Sequence, residues 1–408
     1  MKFLLNLLFI GMATTSVAQQ LEWTALANPD SLQVNAVAFS TDNAKVVSAT
    51  NCHPAHIRLY NTTNGNQTWD YQVPNNLMCQ MGIGFSSDGK YLASVEEMGN
   101  VIIFDYSVPI PDSVNTISMG TNYAFSIDFA KKKKKFAAGG SNGKLQTYHV
   151  NTGVLDININ AHSSWVTAVC YASNNSWIAS GVNDNKIKIW DTMGNLLFTL
   201  NGHSDDITSL RFSPDNARLF SSSLDNTVKV WNTSTGSLIH TIVVSNADVN
   251  ALDITSNGQV IATASKDSLL RLFNANTYTL IDSFLQDHKC FPICLDFSTD
   301  GDKLVTGTSN GLTTLYNVAA LTSIEAIEIS DIDTMTIYPN PFVNEIFLGR
   351  RASGVQYQIS TTLGEVLYTG KSSNSSITVP STLSSGTYLL TLTSKKNQQR
   401  SHIIVKKH

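Results

Sequence analysis

The chain has 408 residues, 27 of them basic and 31 acidic, and its formal net charge is −4 at pH 7. The acidic excess lies in residues 3–330, whereas residues 331–408 are net basic. Because nucleic-acid binding needs a basic surface, this charge distribution argues against a nucleic-acid partner. The length exceeds that of one typical domain and predicts at least two.

Residues 1–18 have the pattern of a secretory signal peptide. Lys2 supplies the positive charge, residues 3–13 are apolar apart from one Asn, and the small residues Ser-Val-Ala at 16–18 fit a cleavage site. The apolar run is shorter than the roughly 20 residues that span a bilayer, and no later segment is apolar enough. We therefore expect an exported chain starting at Gln19, in a compartment where disulfides persist.

Residues 19–327 repeat one pattern, in which three short β-type runs are joined by tight turns. The first runs, spaced 41 to 46 residues apart, end at Phe39, Phe85, Phe129, Tyr171, Phe212, Ile254 and Phe297. A period of this size, with three or four short strands per unit, is typical of a β-propeller. The repeat predicts seven blades and makes binding, rather than catalysis, the default function.

Each blade also needs a fourth, outer strand. Six such strands lie between consecutive repeats, and the seventh is missing from this count. The run Leu-Glu-Trp-Thr-Ala-Leu at 21–26 can supply it, so that the N-terminus closes the ring against blade seven. Residues 323–329 are the alternative candidate.

Blades four and five share four positions at the same spacing. These are His162, Ser180, Asp184 and Trp190 in blade four, and His203, Ser221, Asp225 and Trp231 in blade five. A buried His or Asp needs hydrogen-bond partners. Through these residues and Trp190-Asp191, the segment of about 20–327 resembles the WD-repeat propeller family. The resemblance implies that each set forms a buried hydrogen-bonded group inside its blade, whereas blades one to three lack the His.

The repeat stops before a linker at 328–336, and residues 337–408 contain short β-type runs separated by Gly, Ser and Asn. This pattern predicts a small immunoglobulin-like β-sandwich, so that the whole chain is all-β. Several motifs in the segment resemble the C-terminal sorting domain of the type IX secretion system of Bacteroidota. They contain Tyr338, Pro339, Asn340, Pro341, Gly364, Gly386, Tyr388, Lys406 and Lys407.

The resemblance of residues 337–408 implies passage through the periplasm and recognition by the outer-membrane translocon. The product would be secreted or attached at the cell surface. An ordinary adhesive sandwich module is the alternative reading of this segment.

Two sequence features resemble catalytic or metal-binding motifs but fit a structural role better. Gly-x-Ser-x-Gly occurs at 139–143 and 307–311, in the same hairpin of two repeats, whereas a hydrolase needs a helix after it. The cluster Cys52-His53-x-x-His56 could hold zinc, but a fourth ligand is not evident. A Cys52–Cys79 disulfide is the favoured reading, since both cysteines would lie on the same face of the propeller. We expect no metal and no cofactor.

Five consecutive lysines, 131–135, occupy one hairpin. Contact with an anionic surface is one reading, and a solvated turn is the usual explanation for such a run.

The candidate binding surface follows from the register of the repeat. The residues six positions before each first-strand end lie on the rim of one propeller face. Aromatic and acidic residues at or near these positions are Tyr123, Phe125, Trp165, Asp206, Asp248 and Phe291. An aromatic arc beside an acidic pair is a plausible hot spot for binding. Chance exposure of single aromatic residues is the alternative.

Together, these features predict an exported, non-catalytic interaction scaffold that binds an extracellular protein, peptide or glycan on one propeller face. A propeller lyase or hydrolase acting on polysaccharide would need carboxylates, His or Tyr converging around the central channel. A purely structural cell-surface module is the third possibility.

Overall fold

In the computed structural model the chain forms two compact units, Met1–Ser323 and Ile324–His408. The structure describes residues 20–26, 33–51, 55–73, 79–285, 290–319, 337–338, 345–348, 356–361, 366–372, 376–379, 383–384, 386–393 and 399–406. The predicted signal peptide and the predicted linker at 328–336 lie outside these residues.

The described residues of the first unit form seven four-stranded antiparallel sheets. Their first strands are β2 (Val34–Phe39), β6 (Gln80–Phe85), β10 (Ala124–Phe129), β14 (Val166–Tyr171), β18 (Ile207–Phe212), β22 (Val249–Ile254) and β26 (Pro292–Phe297). Their second strands are β3 (Lys45–Thr50), β7 (Tyr91–Glu96), β11 (Lys135–Gly140), β15 (Trp177–Val182), β19 (Arg218–Ser223), β23 (Val260–Ser265) and β27 (Lys303–Thr308).

The remaining two strands of each sheet lie farther from the first strands. The third strands are β4 (His56–Asn61), β8 (Asn100–Asp105), β12 (Lys144–His149), β16 (Ile187–Asp191), β20 (Thr227–Asn232), β24 (Leu269–Asn274) and β28 (Leu312–Asn317). The fourth strands are β5 (Gln67–Gln72), β9 (Asp112–Ser118), β13 (Leu155–Asn160), β17 (Leu196–Leu200), β21 (Leu238–Val243), β25 (Leu280–Leu285) and, from the N-terminus, β1 (Gln20–Leu26).

The sheets follow one another in a cycle. Each first strand contacts the first strand of the next sheet, and β26 of the seventh sheet contacts β2 of the first. This arrangement is consistent with a β-propeller. Strand β1 pairs antiparallel with β28, from Leu26 opposite Leu312 to Gln20 opposite Asn317. The prediction that the N-terminal strand completes the last sheet is therefore confirmed.

The core lies between neighbouring sheets. Second strands such as β3 and β15 are buried at all positions but the first, because an adjacent sheet covers each of their faces. Fourth strands such as β5 and β13 alternate between exposed and half-buried positions. The apolar clusters join two sheets at a time, as where Leu219 and Trp231 of the fifth sheet meet Ala168 and Ile189 of the fourth. Each sheet therefore depends on its neighbours for burial.

A serine or threonine caps the hairpin between the first and second strands in five sheets. Its hydroxyl bonds the Asp or Asn two residues later, at 2.5–2.7 Å: Ser40–Asp42, Ser86–Asp88, Ser213–Asp215, Thr255–Asn257 and Ser298–Asp300. The third sheet has Ala130 followed by the lysines instead. The side chains of Lys131–Lys134 are exposed, and Lys135 forms an ion pair with Asp156 at 2.6 Å.

The second unit is all-β in its described part. One sheet contains β29 (Ile337–Tyr338), β30 (Glu345–Leu348) and β33 (Ser376–Thr378), and the other contains β32 (Val366–Lys371), β31 (Gln356–Thr361), β34 (Gly386–Thr393) and β35 (Gln399–Lys406). A single apolar cluster joins the two, as where Ile377 meets Ile359, Leu390 and Leu392.

Four of the sorting-motif residues lie within the described strands of this unit. They are Tyr338 in β29, Gly386 and Tyr388 in β34, and Lys406 in β35. The Tyr388 hydroxyl donates to the Ser384 carbonyl at 2.9 Å, which fixes the approach to β34. Pro339, Asn340, Pro341, Gly364 and Lys407 lie outside the described residues.

Candidate binding site

One backbone hydrogen bond recurs in all seven sheets and makes the rim positions equivalent. The residue after each second strand donates its N–H to the carbonyl of the residue before the first strand, at 2.8–3.3 Å. The pairs are Asn51–Gln33, Glu97–Cys79, Ser141–Tyr123, Asn183–Trp165, Leu224–Asp206, Lys266–Asp248 and Ser309–Phe291. The register used in the sequence analysis therefore selects one rim residue per sheet.

Each first strand also has a β-bulge at its second residue. The bulged residues are Asn35, Met81, Phe125, Thr167, Thr208, Asn250 and Ile293. A bulge turns the side chain away from the ladder. Four of these side chains reach a backbone carbonyl of the next sheet at 2.7–2.8 Å: Asn35 to Gln80, Thr167 to Ile207, Thr208 to Val249 and Asn250 to Pro292. A polar bulge residue thus links neighbouring sheets.

Met81, Phe125 and Ile293 depart from this rule, because none of their side chains can donate such a bond, and the first two lie in neighbouring sheets. The side chains of Met81 and Phe125 are half-buried and line a cleft of about 260 Å³ across sheets one to four. We call it the aromatic cleft; its lining is Gln33, Asn35, Asn51, Cys79, Met81, Glu97, Tyr123, Phe125 and Trp165. Departure from a structural pattern at this place is the signature expected of a functional surface.

Three aromatic rings form one wall of the cleft. The ring centroids of Tyr123 and Phe125 are 6.0 Å apart, those of Phe125 and Trp165 are 5.4 Å apart, and those of Tyr123 and Trp165 are 6.1 Å apart. The ring planes differ by only 20° to 37°. Tyr123 and Trp165 remain 37% and 46% exposed, so the rings present a continuous apolar surface to a ligand.

Hydrogen bonds hold the backbone of Tyr123 and Trp165 in place before any ligand binds. The carbonyl of Trp165 accepts the Asn183 N–H, and the N–H of Trp165 donates to Asn183 Oδ1 at 3.1 Å. Tyr123 is bonded to Ser141 in the same way, and its N–H donates to Ser141 Oγ at 3.2 Å. Tyr123 also forms a β-bridge with Glu97 of the second sheet. A preorganised surface loses less conformational entropy on binding.

Side-chain amides and one carboxylate line the other wall. Gln33 Nε2 donates to Asn35 Oδ1 at 2.7 Å, and Asn35 Nδ2 donates to the Gln80 carbonyl at 2.8 Å. Glu97 accepts the N–H of Cys79 through Oε2 at 3.4 Å. The relay from Gln33 to Asn35 to the backbone fixes the orientation of both amides.

Three of the predicted binding residues do not line the aromatic cleft. Asp248 forms an ion pair with Lys266 at 2.6 Å, and Phe291 donates its N–H to Ser309 Oγ at 3.1 Å. Burial, with a smaller contribution from Asp205, raises the pKa of Asp206. The acidic group beside the aromatic residues is instead Glu97.

The sequence analysis missed Asn35, Asn51, Met81 and Glu97. The signal was present in the repeat, because Asn35 and Met81 follow their rim residues by two positions and Asn51 and Glu97 directly follow second strands. Met81 and Phe125 stand where four of the other repeats have Asn or Thr and the seventh has Ile293.

The polar set of the fifth sheet is fully connected. Trp231 Nε1 donates to Ser221 Oγ at 2.8 Å, Ser221 Oγ lies 2.7 Å from His203 Nε2, and His203 Nδ1 lies 2.7 Å from Asp225 Oδ2. Each atom of this set has a partner if the Ser221 hydroxyl donates to His203 Nε2 and His203 Nδ1 donates to Asp225. This assignment puts the His203 proton on Nδ1. Burial opposes the ionised form of Asp225, but hydrogen bonds from His203 and Thr227 outweigh it and hold the pKa well below its ordinary value.

The corresponding set of the fourth sheet lacks its last link. Trp190 Nε1 donates to Ser180 Oγ at 2.9 Å, and Ser180 Oγ lies 2.8 Å from His162 Nε2. His162 Nδ1 has no hydrogen-bond partner, and Asp184 pairs with Lys186 at 3.4 Å. Burial lowers the pKa of His162 to about 4, so the ring is neutral at pH 7.

A second set of links between sheets lies near the other end of the first strands. Asp128, Asp253 and Asp296 each accept the N–H of the last residue of the next first strand, at 2.7–2.9 Å. Arg211 Nε donates to Asp253 Oδ1 at 2.8 Å. Burial, together with the nearby Asp253 carboxylate, raises the pKa of Asp296 well above its ordinary value.

We expect Asp296→Asn to raise the free energy of unfolding at pH 7. Because the pKa of Asp296 is raised in the folded state, ionisation of this carboxyl removes stability as pH rises above about 4. Asn keeps an acceptor for the Phe39 N–H and cannot ionise. Urea denaturation should show the variant and the wild type converging near pH 4. Asp296→Ala, which also removes the acceptor, should cost about 1–3 kcal/mol; a gain for both variants would contradict this account.

The predicted disulfide, the metal-like cluster and membrane-spanning segments can be compared with the described residues. Cys79 is disulfide-bonded, and Cys52 and His53 lie outside the described residues, so the identity of the pair stays a prediction. His56 Nδ1 lies 2.6 Å from Asp70. Within the described part of the chain, no group of three or more His, Cys, Asp and Glu side chains is arranged to hold a metal ion. A search of the same residues found no helix long and apolar enough to cross a membrane.

Both Gly-x-Ser-x-Gly copies lie in hairpins, between β11 and β12 and between β27 and β28. Gly143 has φ +72°, and a Cβ there would lie 2.2 Å from the His162 carbonyl oxygen. Only glycine fits that turn, which explains the end of the first copy without catalysis.

Two family models match the chain. The WD domain, G-beta repeat model matches residues 153–191, 194–232, 236–274 and 279–317, and the secretion system C-terminal sorting domain model matches residues 336–406. The chain contains four WD40 repeats and a type IX sorting domain. Each WD40 match starts before a fourth strand and ends with the third strand of the next sheet, which leaves the last sheet for β1 to complete.

Curated relatives match part of the chain. The chain is 27% identical over 174 residues to LEC14B protein of Lithospermum erythrorhizon, covering 38% of this chain and 35% of that protein. It is 25% identical over 229 residues to U3 small nucleolar RNA-associated protein 15 homolog of Xenopus tropicalis, covering 56% and 44%. The chain spans less than half the length of these relatives. The sorting domain indicates export through the type IX secretion system.

Proposed function

We propose that this protein is an exported seven-bladed propeller that acts as a non-catalytic interaction scaffold and binds an extracellular protein, peptide or glycan at the aromatic cleft. The observation that carries the proposal is the exposed pair Tyr123 and Trp165, held by backbone hydrogen bonds beside Phe125. WD40 repeats suggest interaction, and exposed aromatic groups in a preorganised cleft are the usual anchors of binding surfaces.

The export route completes this proposal. Residues 1–18 act as the signal peptide, and residues 337–408 form an immunoglobulin-like sandwich that the outer-membrane translocon recognises. The mature protein is then released or retained at the surface of a bacterium of the Bacteroidota. The two sheets of the second unit and their shared apolar cluster support the sandwich.

The lining of the cleft favours binding over polysaccharide hydrolysis. Glycosidases generally use a pair of carboxylates on either side of the scissile bond. Among the residues that line the aromatic cleft, Glu97 is the one carboxylate. A lyase or hydrolase would require further groups from elsewhere.

Trp165→Ala should abolish ligand retention without unfolding the protein. Immobilised wild-type protein is incubated with cell-surface extracts and a glycan array, and a hydrolase screen runs in parallel. Loss of a hot-spot aromatic costs about 2 kcal/mol or more, a loss of roughly 30-fold in affinity. Tyr123→Ala should act in the same direction.

Met193→Ala is the matched control, because Met193 is 84% exposed and lies outside the cleft. Circular dichroism should show unchanged folding for every variant. Equal retention by Trp165→Ala and the wild type would contradict the proposed function, and turnover of any glycan would replace it with catalysis.

A further inference from the structure

The orientation of the three rings restricts the shape of the ligand. Tyr123, Phe125 and Trp165 have ring centroids 5.4–6.1 Å apart and planes inclined by 20° to 37° to one another, so they cannot all stack in one column. They extend sideways into a platform wider than one ring. A compact ammonium group is best enclosed by rings at steep angles to one another, whereas a platform suits a flat, extended group.

The polar wall restricts the chemistry of the ligand. Gln33, Asn35 and Asn51 contribute side-chain amides, each with donors and an acceptor, and Glu97 contributes a carboxylate. A hydroxyl group is itself both donor and acceptor, so a polyhydroxylated ligand matches this mixture. The relay from Gln33 to Asn35 holds the amides in fixed orientations, as directional hydrogen bonding requires.

The charge and size of the cleft narrow the ligand class further. Among the described residues that line it there is no lysine or arginine, and the one charged group is Glu97, so phosphate, sulfate and uronic-acid ligands are disfavoured. Its volume of about 260 Å³ is below the roughly 300–1,000 Å³ of pockets that enclose whole small ligands. The cleft therefore fits one ring-sized unit of a longer chain.

We propose that the aromatic cleft binds one non-acidic pyranose residue of a surface oligosaccharide or polysaccharide. The apolar face of the sugar, with its polarised C–H bonds, lies on the negative faces of the Tyr123 and Trp165 rings. The hydroxyls at the sugar edge hydrogen-bond to the Gln33 amide and the Glu97 carboxylate. This inference rests on the proposed function and names its ligand.

The full-length protein is titrated with neutral hexasaccharides of glucose, mannose and N-acetylglucosamine, with a polygalacturonate hexamer, and with a Gly-Arg repeat peptide. Calorimetry and tryptophan fluorescence report binding. At least one neutral sugar should bind, with at least a tenfold loss of affinity in Trp165→Ala and little change in Met193→Ala. Glu97→Gln should cost less than tenfold, because the amide oxygen still accepts a hydroxyl proton, and 0.5 M salt should not weaken binding.

Surface extract treated with periodate, which cleaves vicinal diols such as those of 1,4-linked glucose and mannose, tests the ligand class for these sugars; N-acetylglucosamine linked through O4 has no such diol and is tested by the titration. Trp165-dependent retention should disappear after periodate and survive protease treatment. Retention that survives periodate but not protease would overturn the sugar assignment. So would Trp165-dependent binding of the Arg peptide whose affinity falls more than tenfold in Glu97→Gln. In both cases the scaffold function stands. Absence of any Trp165-dependent retention would refute both proposals.

Discussion

Asp225→Ala should lower the free energy of unfolding by about 3 kcal/mol or more, because it leaves several buried hydrogen-bond donors without an acceptor, each at a cost of about 1–3 kcal/mol. The side chain of Asp225 is 6% exposed and that of His203 is fully buried. Asp225 also accepts hydrogen bonds from the Thr227 N–H and hydroxyl and from the Ser204 N–H. Alanine leaves all of these donors unpaired, including His203 Nδ1. Urea denaturation at pH 7 measures the loss.

Asp184→Ala is the matched control, because Asp184 occupies the same position in the fourth sheet. It accepts hydrogen bonds from the backbone and side chain of Lys186, with its side chain 24% exposed, so its removal should cost less than about 1 kcal/mol. Equal losses for Asp184→Ala and Asp225→Ala would show that the His203–Asp225 bond contributes little to stability.

The effect of Asp225 should also depend on pH. Its pKa is lowered in the folded state, so its ionised form contributes stability above the ordinary carboxyl pKa of about 4. That contribution is lost as pH falls through the folded-state pKa. The difference between the wild type and Asp225→Ala should therefore shrink as the pH falls below about 4.

Trp23→Ala should lower the free energy of unfolding by about 2–4 kcal/mol, somewhat less than a fully buried Trp because Trp23 is only half-buried. Its strand pairs with the last sheet, but its ring lies 5.9 Å from that of Tyr60 in the first sheet. Trp23 Nε1 donates to the Thr62 carbonyl at 3.0 Å. A Cβ on Gly65 would lie 2.8 Å from the Trp23 ring, so the contact is close-packed. Trp23 therefore ties the last sheet to the first.

Thr24→Ala is the control on the same strand, since Thr24 is exposed and should change stability by about 0.5 kcal/mol or less. Deletion of residues 20–26 should have a larger effect, because it exposes the edge of β28 as a template for strand pairing. Light scattering after size exclusion should then detect self-association that rises with concentration. A monomeric deletion variant with wild-type stability would show that β1 does not close the ring.

Much of the fold could be predicted from the sequence, since strand alternation and turn residues are local properties. The Ser-x-Asp turns and the recurring aromatic strand ends are visible without contacts, and they set the register of every blade. The register also selected Tyr123, Phe125 and Trp165 before any distance was known. The N-terminal strand followed from counting outer strands.

The polar sets show where identical spacing is not enough. Asp184 and Asp225 occupy the same position, but the residue two places later is Lys186 in one blade and Thr227 in the other. Lysine attracts the Asp184 carboxylate, whereas the threonine hydroxyl donates to Asp225 beside His203. The balance between such neighbours depends on side-chain conformations that spacing does not encode.

By itself, the sequence determined the repeat and the strand register, because both depend on residues close together in the chain, and it determined the strand that completes the last sheet, because one outer strand is missing from the count. Only the tertiary structure decided which rim residues share a cleft. Asp248 pairs with Lys266 of its own sheet, whereas Glu97 of the second sheet stands beside Tyr123 of the third, because the packing of neighbouring sheets sets distances between residues from different repeats. Those distances arise from the closed ring as a whole, and no single repeat contains them.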